Sequence, residues 1–272
     1  MIADKPDVAA LLGRLPDSDE PGKTSKFTGP GPEAAEEILS GILSGGKESL
    51  LGLIGIVKDV ADPEFKDFRP EYALHALAIH VGLPGMENER QMYCDAVTSA
   101  LQEGKLPKAV LGILIRKLQV AGGKGAAKVI GKFLADEDLC EYAAQALLAI
   151  KEGAVEEFRG ALGGSKGKCR VTILQALGVV RDSSSVDALK GALGEGERDA
   201  RMAAVWALGN IGDAAATEAV LKAAMAEDGW ERTQATKACL LLAERLLASG
   251  RKEDAVKIYT HLRDTRKDSP DR

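Results

Sequence analysis

Residues 197–228 decide the fold, and they read ERDARMAAVWALGNIGDAAATEAVLKAAMAED. Apolar residues recur in this stretch at intervals of three and four, which is typical of amphipathic helices rather than strands. One helix is predicted before Gly212, because glycine ends helices by adopting positive φ at little cost. A second is predicted after Asp213, whose side chain can cap it. The stretch therefore predicts two helices joined by a Gly-Asp turn.

The first of these helices contains a glycine away from its ends. Gly209 costs the helix about 1 kcal/mol relative to alanine, so we expect another backbone to pass close to it. The apolar residues of the helix are predicted to form one broad inner face. That face consists of Met202, Val205, Trp206, Ala207, Leu208 and Ile211.

The two-helix pattern recurs along the chain. Ala-Leu pairs stand at residues 146–147, 176–177 and 207–208, a spacing of about thirty residues that is typical of solenoids. In such arrays each helix pair buries its apolar face against the next pair. We therefore expect an all-α fold, an α-solenoid of stacked antiparallel helix pairs.

The repeated residues resemble a known family. Arg201 with Ala203-Ala204, followed by Ala207-Leu208-Gly-Asn-Ile-Gly-Asp213, resembles the bacterial HEAT repeats of the phycobilisome-lyase type. The resemblance implies a right-handed superhelix, and it is clearest over residues 137–228. The segment from Leu242 to Tyr259 resembles a tetratricopeptide helix pair instead, which we interpret as a cap.

These patterns divide the chain into four predicted parts. They are a short helix and irregular linker (residues 1–32), less regular HEAT-like pairs (33–136), well-matched HEAT repeats (137–228), and a capping helix pair with a polar tail (229–272). The cap is expected to open with one long helix over residues 230–248.

Composition narrows the class of protein. A net charge of -5 and a pI of about 5.5 argue against a nucleic-acid binder, because such domains are usually basic. No apolar run is long enough for a membrane span. The four cysteines stand apart inside apolar helical patterns, so we expect buried thiols. A cytoplasmic monomer is the default expectation, with an exported mature chain left open.

Two short sequence segments resemble catalytic motifs, but each lacks residues or secondary structure that the motif requires. Residues 41–48 read GILSGGKE, but a P-loop needs Ser or Thr at the last position and a preceding strand. Residues 163–167 match a nucleophile elbow, which needs a strand-to-helix turn and a histidine partner. His75 and His80 are five positions apart and face different sides of a helix. No catalytic residue, metal site or cofactor is predicted.

Two arginines recur at equivalent repeat positions. Resemblance to HEAT arrays implies that Arg170 and Arg201 form a structural ladder with turn carboxylates of adjacent units, with Asp182 and Asp213 as the candidates. Contact with a ligand is the alternative.

Residues 104–135 contain seven basic residues and no acidic one. The stretch is either a solvated edge or a basic patch for an acidic protein segment or a phosphate, since nearby glycine-rich turns offer backbone amides to anions. The predicted patch consists of Arg116, Lys117, Lys124, Lys128 and Lys132.

The leading hypothesis is a non-catalytic scaffold that binds a protein partner along the concave face of the array. That face is predicted to be lined by the second helices. One alternative is an enzyme-associated subunit, such as a bilin lyase or its chaperone, whose pocket would need aromatic walls from Trp206 and Trp230. A helical-repeat DNA glycosylase and a passive spacer within a larger protein are further alternatives. The predicted partner-binding residues are Glu157, Asp187, Lys190, Glu218 and Lys222.

Overall fold

The computed structural model describes residues 6–15, 30–59, 61–62, 64–65, 67–227 and 229–265. Throughout these ranges the regular secondary structure is helical, which confirms the predicted all-α solenoid of helix pairs. The chain forms two compact units, residues 1–130 and 131–272. The predicted linker at residues 16–29 and the polar tail at residues 266–272 lie outside the described residues.

The described residues of the first unit form seven helices, the last of which reaches the boundary between the units. The helix Glu87–Glu103 contacts the helix Arg69–His80 through the buried Tyr93, whose hydroxyl donates to the Leu74 carbonyl oxygen at 2.8 Å. The seven are α1 (Val8–Leu12), α2 (Pro32–Ser44), α3 (Gly46–Gly55), α4 (Arg69–His80), α5 (Glu87–Glu103), α6 (Lys108–Ala121) and α7 (Lys124–Gly131).

The described residues of the second unit form a stack of four helix pairs. The first helices of the pairs pack side by side in chain order, and each of the first three second helices packs against the first helix of the following pair. The first-helix layer consists of α8 (Cys140–Ile150), α10 (Gly167–Val180), α12 (Arg198–Ile211) and α14 (Trp230–Ala248). The second-helix layer consists of α9 (Ala154–Leu162), α11 (Val186–Ala192), α13 (Thr217–Ala223) and α15 (Lys252–Thr265).

Close approach between neighbouring first helices depends on two glycines. A Cβ atom placed on Gly178 of α10 would lie 2.8 Å from the Cα atom of Ala207 in α12. One placed on Gly209 would lie 2.6 Å from the carbonyl oxygen of Ala238 in α14. The expectation that another backbone passes close to Gly209 is confirmed, and α12 is held tightly on both flanks.

The turn after α12 forms as predicted. Gly212 has φ 80°, and the carboxylate of Asp213 accepts a hydrogen bond from the Ala215 backbone N–H at 2.9 Å. The sequence did not predict that a 3₁₀ turn over Ala214–Ala216 would precede α13. The long helix predicted over residues 230–248 is α14 and is confirmed.

A chain of side-chain hydrogen bonds crosses three first helices. The Asn210 amide of α12 donates to the Gly178 carbonyl oxygen of α10 at 3.0 Å. Its own oxygen accepts from an Nη atom of Arg245 in α14 at 2.9 Å. Both bonds lie at the end of the layer where α12 terminates, and they hold the three helices together there.

Candidate partner-binding groove

A groove of about 560 Å³ lies on the surface of the first-helix layer, over α10, α12 and α14. This volume falls within the range of roughly 300 to 1,000 Å³ that is usual for ligand sites. Its apolar walls are contributed by Val171, Met202, Trp206, Trp230 and Leu241.

Trp206 and Trp230 are the two tryptophans of the chain, and both line this groove. Their side chains are 39% and 55% exposed, respectively. The prediction that Trp206 belongs to the inner face of its helix is therefore wrong. Because α10 and α14 approach α12 so closely, its contact flanks are filled by small residues, and the indole is displaced to the outer surface.

The position of Trp206 is set by the neighbouring helix. A Cβ atom placed on Gly178 would lie 2.8 Å from Cζ3 of the indole, so the ring packs on bare backbone. Of the other residues predicted for the inner face, Met202 is half-buried in the groove, while Val205 and Leu208 are fully buried.

Trp230 opens α14 and is covered on one face by a cation. The Arg198 guanidinium lies 5.3 Å from the ring centroid, a contact worth roughly 0.5–1 kcal/mol at an exposed site. The Arg198 Nε atom also donates to Asp199 at 3.2 Å. The guanidinium thereby restrains the Trp230 ring at the edge of the groove.

Two smaller depressions adjoin the groove at this cation. One of about 470 Å³ is bounded by Lys168, Val171 and Glu197, and one of about 430 Å³ by Ala226, Glu227 and Trp230. Both include Arg198. A partner seated between the tryptophans could therefore continue past Arg198 in either direction.

The polar groups of the groove are mostly unengaged. The side chains of Gln175, Gln234 and Lys237 have no hydrogen bond or ion pair with any residue in the described part of the chain. Asp199, by contrast, is paired with Arg198 at 3.2 Å. The groove thus offers two free amides and a free ammonium beside its apolar walls.

The residues predicted to bind a partner lie on the second-helix layer and not in this groove. Asp187, Glu218 and Lys222 are exposed, and Lys190 is bonded to Asp187 at 3.3 Å. Glu157 was expected to point outward but is half-buried. Its carboxylate occupies the space that a side chain at Gly131 would fill.

The arginine ladder exists with partners other than those predicted. Arg170 donates from Nε to the Glu195 carboxylate at 2.7 and 2.8 Å, and Arg201 donates to Glu231 at 3.1 and 3.2 Å. Both arginines lie in the first turn of their helices, whereas Asp182 and Asp213 follow the last turn of α10 and α12. The carboxylates within reach are therefore Glu195, which lies just before α12, and Glu231 in the first turn of α14.

The two aspartates have other roles. Asp213 caps the turn before α13, as described above. Asp182 accepts from Arg159 at 2.7 and 2.9 Å and is bonded to Ser185. Burial opposes ionisation of Asp182, but the hydrogen bonds from Arg159 and Ser185 outweigh it and lower the pKa of this carboxyl group.

One residue of the predicted basic patch is buried in the interior. Lys117 is 6% exposed, and its ammonium donates to Glu71 at 3.0 Å, so it stabilises the first unit instead of facing a ligand. Arg116, Lys124 and Lys128 are exposed in the first unit, and Lys132 is exposed in the second. Anion binding by these four residues remains a proposal.

All four cysteines are buried, as predicted. Within the described ranges, no group of three or more His, Cys, Asp and Glu side chains is placed to hold a metal ion. In the same part of the chain, every helix is too short or too polar to span a bilayer.

Comparisons with known proteins identify the repeat. Residues 155–240 match the family of HEAT repeats. Among solved structures, the chain is similar to the complex of CpcE and CpcF of phycocyanin lyase from Nostoc sp. PCC7120, with 18% identity, 91% of this chain and 99% of that chain covered, and a TM-score of 0.38. It is also similar to human deoxyhypusine hydroxylase in complex with glycerol, with 16% identity, 85% and 99% covered, and a TM-score of 0.29.

A comparison with curated proteins found no match. The matched range runs from α9 into α14, and it includes all of α10 and α12 and α14 as far as Leu240. The match to HEAT repeats over residues 155–240 confirms the predicted repeat type.

Proposed function

We propose that this chain is a protein-interaction module that binds a segment of a partner polypeptide in the groove formed by α10, α12 and α14. The observation that carries the proposal is that both tryptophans of the chain are exposed in one groove. Tryptophan is enriched among the residues that contribute most to binding energy at protein interfaces.

The energetics favour a partner over water as the occupant of the groove. Indole surface left in contact with water costs about 25 cal/mol per Å² relative to burial. The restraint of Trp230 by Arg198 and the packing of Trp206 on Gly178 also reduce the side-chain entropy that binding would remove. Exposed but ordered aromatic rings of this kind are suited to anchoring a ligand.

The charged residues of the groove support a binding role rather than a catalytic one. Its two charged residues are Asp199 and Lys237, and Asp199 is already paired with Arg198. Nucleophilic catalysis needs a nucleophile within hydrogen-bond reach of a base, and the side chains that line the groove do not supply that pair. The proposal therefore assigns it a binding role.

A direct test uses peptides selected from a random display library on the immobilised chain. Their affinities are measured by calorimetry for wild type, for Trp206→Ala combined with Trp230→Ala, and for Glu218→Ala combined with Lys222→Ala on the second-helix layer. We expect the tryptophan variant to lose at least about tenfold in affinity, as for hot-spot residues. The second-layer variant should bind like wild type.

The reverse pattern would contradict the proposal. Loss of binding only in the second-layer variant would move the interface to the residues first predicted from sequence. Failure to select any binder would favour a passive spacer. Circular dichroism of each variant excludes unfolding as the cause of a loss.

The same pair of tryptophans supports a second candidate function. A subunit of a bilin lyase, or its chaperone, needs aromatic walls to hold a linear tetrapyrrole, and Trp206 and Trp230 provide two such walls in one groove. Co-expression with a bilin-producing pathway tests this candidate. Visible absorbance that copurifies with wild type and not with the tryptophan variant would support it, whereas a colourless wild-type protein would reject it.

A further inference from the structure

The free polar groups of the groove are mainly hydrogen-bond donors. The Gln175 and Gln234 amides, the Lys237 ammonium and the two indole N–H groups have no hydrogen-bond partner in the described part of the chain. Each amide also has one oxygen, and one oxygen of the groove's single carboxylate, Asp199, already accepts a hydrogen bond from Arg198. An occupant rich in acceptors and poor in donors would satisfy this arrangement best.

Polypeptide conformations differ in how many backbone hydrogen-bond acceptors they leave free. A helix already uses its backbone carbonyls internally. A polyproline II segment makes no internal hydrogen bonds, and each proline lacks a backbone N–H. A proline-rich segment therefore presents carbonyl oxygens with few competing donors, and its rings pack in aromatic-lined grooves.

The charge of the groove adds a second constraint. Of its two charged residues, Asp199 is already paired with Arg198 at 3.2 Å, while the side chain of Lys237 has no ion pair with any residue that the structure describes. Lys237 lies two turns beyond Trp230 along α14, away from the Arg198 end of the groove. A carboxylate at that end of the occupant would be complementary to it.

We infer that the groove binds an extended, proline-rich segment of a partner protein, with prolines against Trp206 and Trp230 and an acidic residue at Lys237. The inference rests on the proposed function and specifies its ligand. The amide groups of Gln175 and Gln234 then donate to backbone carbonyls of the segment. Lys237 orients the segment, because it is the one cation among the residues that line the groove, and its side chain has no ion pair with any residue that the structure describes.

The experiment compares three fluorescein-labelled synthetic peptides of equal length on the full chain. One is proline-rich with leucine and glutamate, the second has lysine in place of each glutamate, and the third is an alanine-based amphipathic helix with the same glutamates. Binding is followed by anisotropy and by tryptophan emission, which reports on the groove because both tryptophans of the chain lie there.

The acidic proline-rich peptide should bind most tightly and change the tryptophan emission. Lys237→Glu should weaken it by about tenfold or more and favour the lysine peptide, because like charges are then opposed. Lys222→Glu, an equal charge change on the second-helix layer, is the matched control and should leave the affinity unchanged.

Three outcomes would overturn the inference: tighter binding of the helical peptide, equal binding of the two proline-rich peptides, or no binding of any of the three. If peptides selected from the random library still depend on the tryptophans, the proposed function survives and only the ligand class is wrong. If they do not, both fail.

Discussion

The indole of Trp206 packs directly on the backbone of Gly178, so that a Cβ atom on the glycine would lie 2.8 Å from Cζ3 of the ring. Because Gly178 on α10 has no side chain, the Trp206 ring of α12 can lie against its backbone in the groove. A Cβ atom on Gly178 would also lie 2.8 Å from the Cα atom of Ala207. The spacing of the helices and the position of the tryptophan therefore have a common cause.

Gly178→Ala should destabilise the protein by about 1–3 kcal/mol, which is usual for overpacking a tight contact. The clash is with backbone and cannot be relieved by rotating a side chain. Urea unfolding followed by circular dichroism measures the loss, and a shift in native tryptophan emission is expected. Gly191→Ala is the control, since a Cβ atom there meets nothing within 4 Å. Equal stability of the two variants would contradict the packing role.

Asn210→Ala should cost about 1–3 kcal/mol, because it removes two hydrogen bonds that typically contribute about 0.5–1.5 kcal/mol each. The substitution removes the donor to the Gly178 carbonyl oxygen and the acceptor for Arg245. Asn88, which is exposed on α5, offers a matched control in Asn88→Ala. Thermal unfolding midpoints that fall equally for both variants would show that the hydrogen-bonded chain is not structural.

Lys151→Gly should stabilise the protein by about 1 kcal/mol, at the low end of the cost of a strained backbone conformation. Lys151 has φ 66° and ψ -51°, and the Glu152 N–H donates to the Ile150 carbonyl oxygen at 2.8 Å. This turn is strained for any residue with a side chain. Lys222→Gly, inside α13, should instead destabilise. A loss of stability in Lys151→Gly would refute the strain.

The four thiols should be unreactive in the native protein at pH 8. Burial raises the pKa of Cys94 to about 11. Burial and a hydrogen bond with Cys140 raise that of Cys169 to about 12. Since the thiolate is the nucleophile, a disulfide reagent should react only as urea unfolds the chain. Ser184→Cys, at an exposed turn, should add one fast thiol. Four fast thiols in native wild type would show that they are not protected.

The local parts of the fold could be predicted from sequence because their causes are local. Apolar periodicity specified the helix pairs, and the glycine and aspartate at positions 212 and 213 specified the turn between α12 and α13. The orientation of Trp206 could not be predicted, because periodicity does not show that α12 is flanked closely on two sides. Because α12 is buried on two flanks, its buried surface is divided between two contacts. It therefore differs from the single broad apolar face that the sequence pattern indicates.

Contacts between repeats were predicted less well for a related reason. The partners of Arg170 and Arg201 depend on which ends of neighbouring helices meet, and the sequence does not contain that information locally. Lys117 shows the same limit, since only the packed structure places Glu71 beside it. The groove itself had a single sequence signal: its walls contain both tryptophans of a chain with 4% aromatic residues.

Site-specific photo-crosslinking tests the central claim most directly. A benzoylphenylalanine is placed at Gln175, in the groove, or at Glu218, on the second-helix layer, and each protein is irradiated with the peptides selected on wild type. We expect crosslinked product at Gln175 and little or none at Glu218. Product at Glu218 without product at Gln175 would contradict the claim.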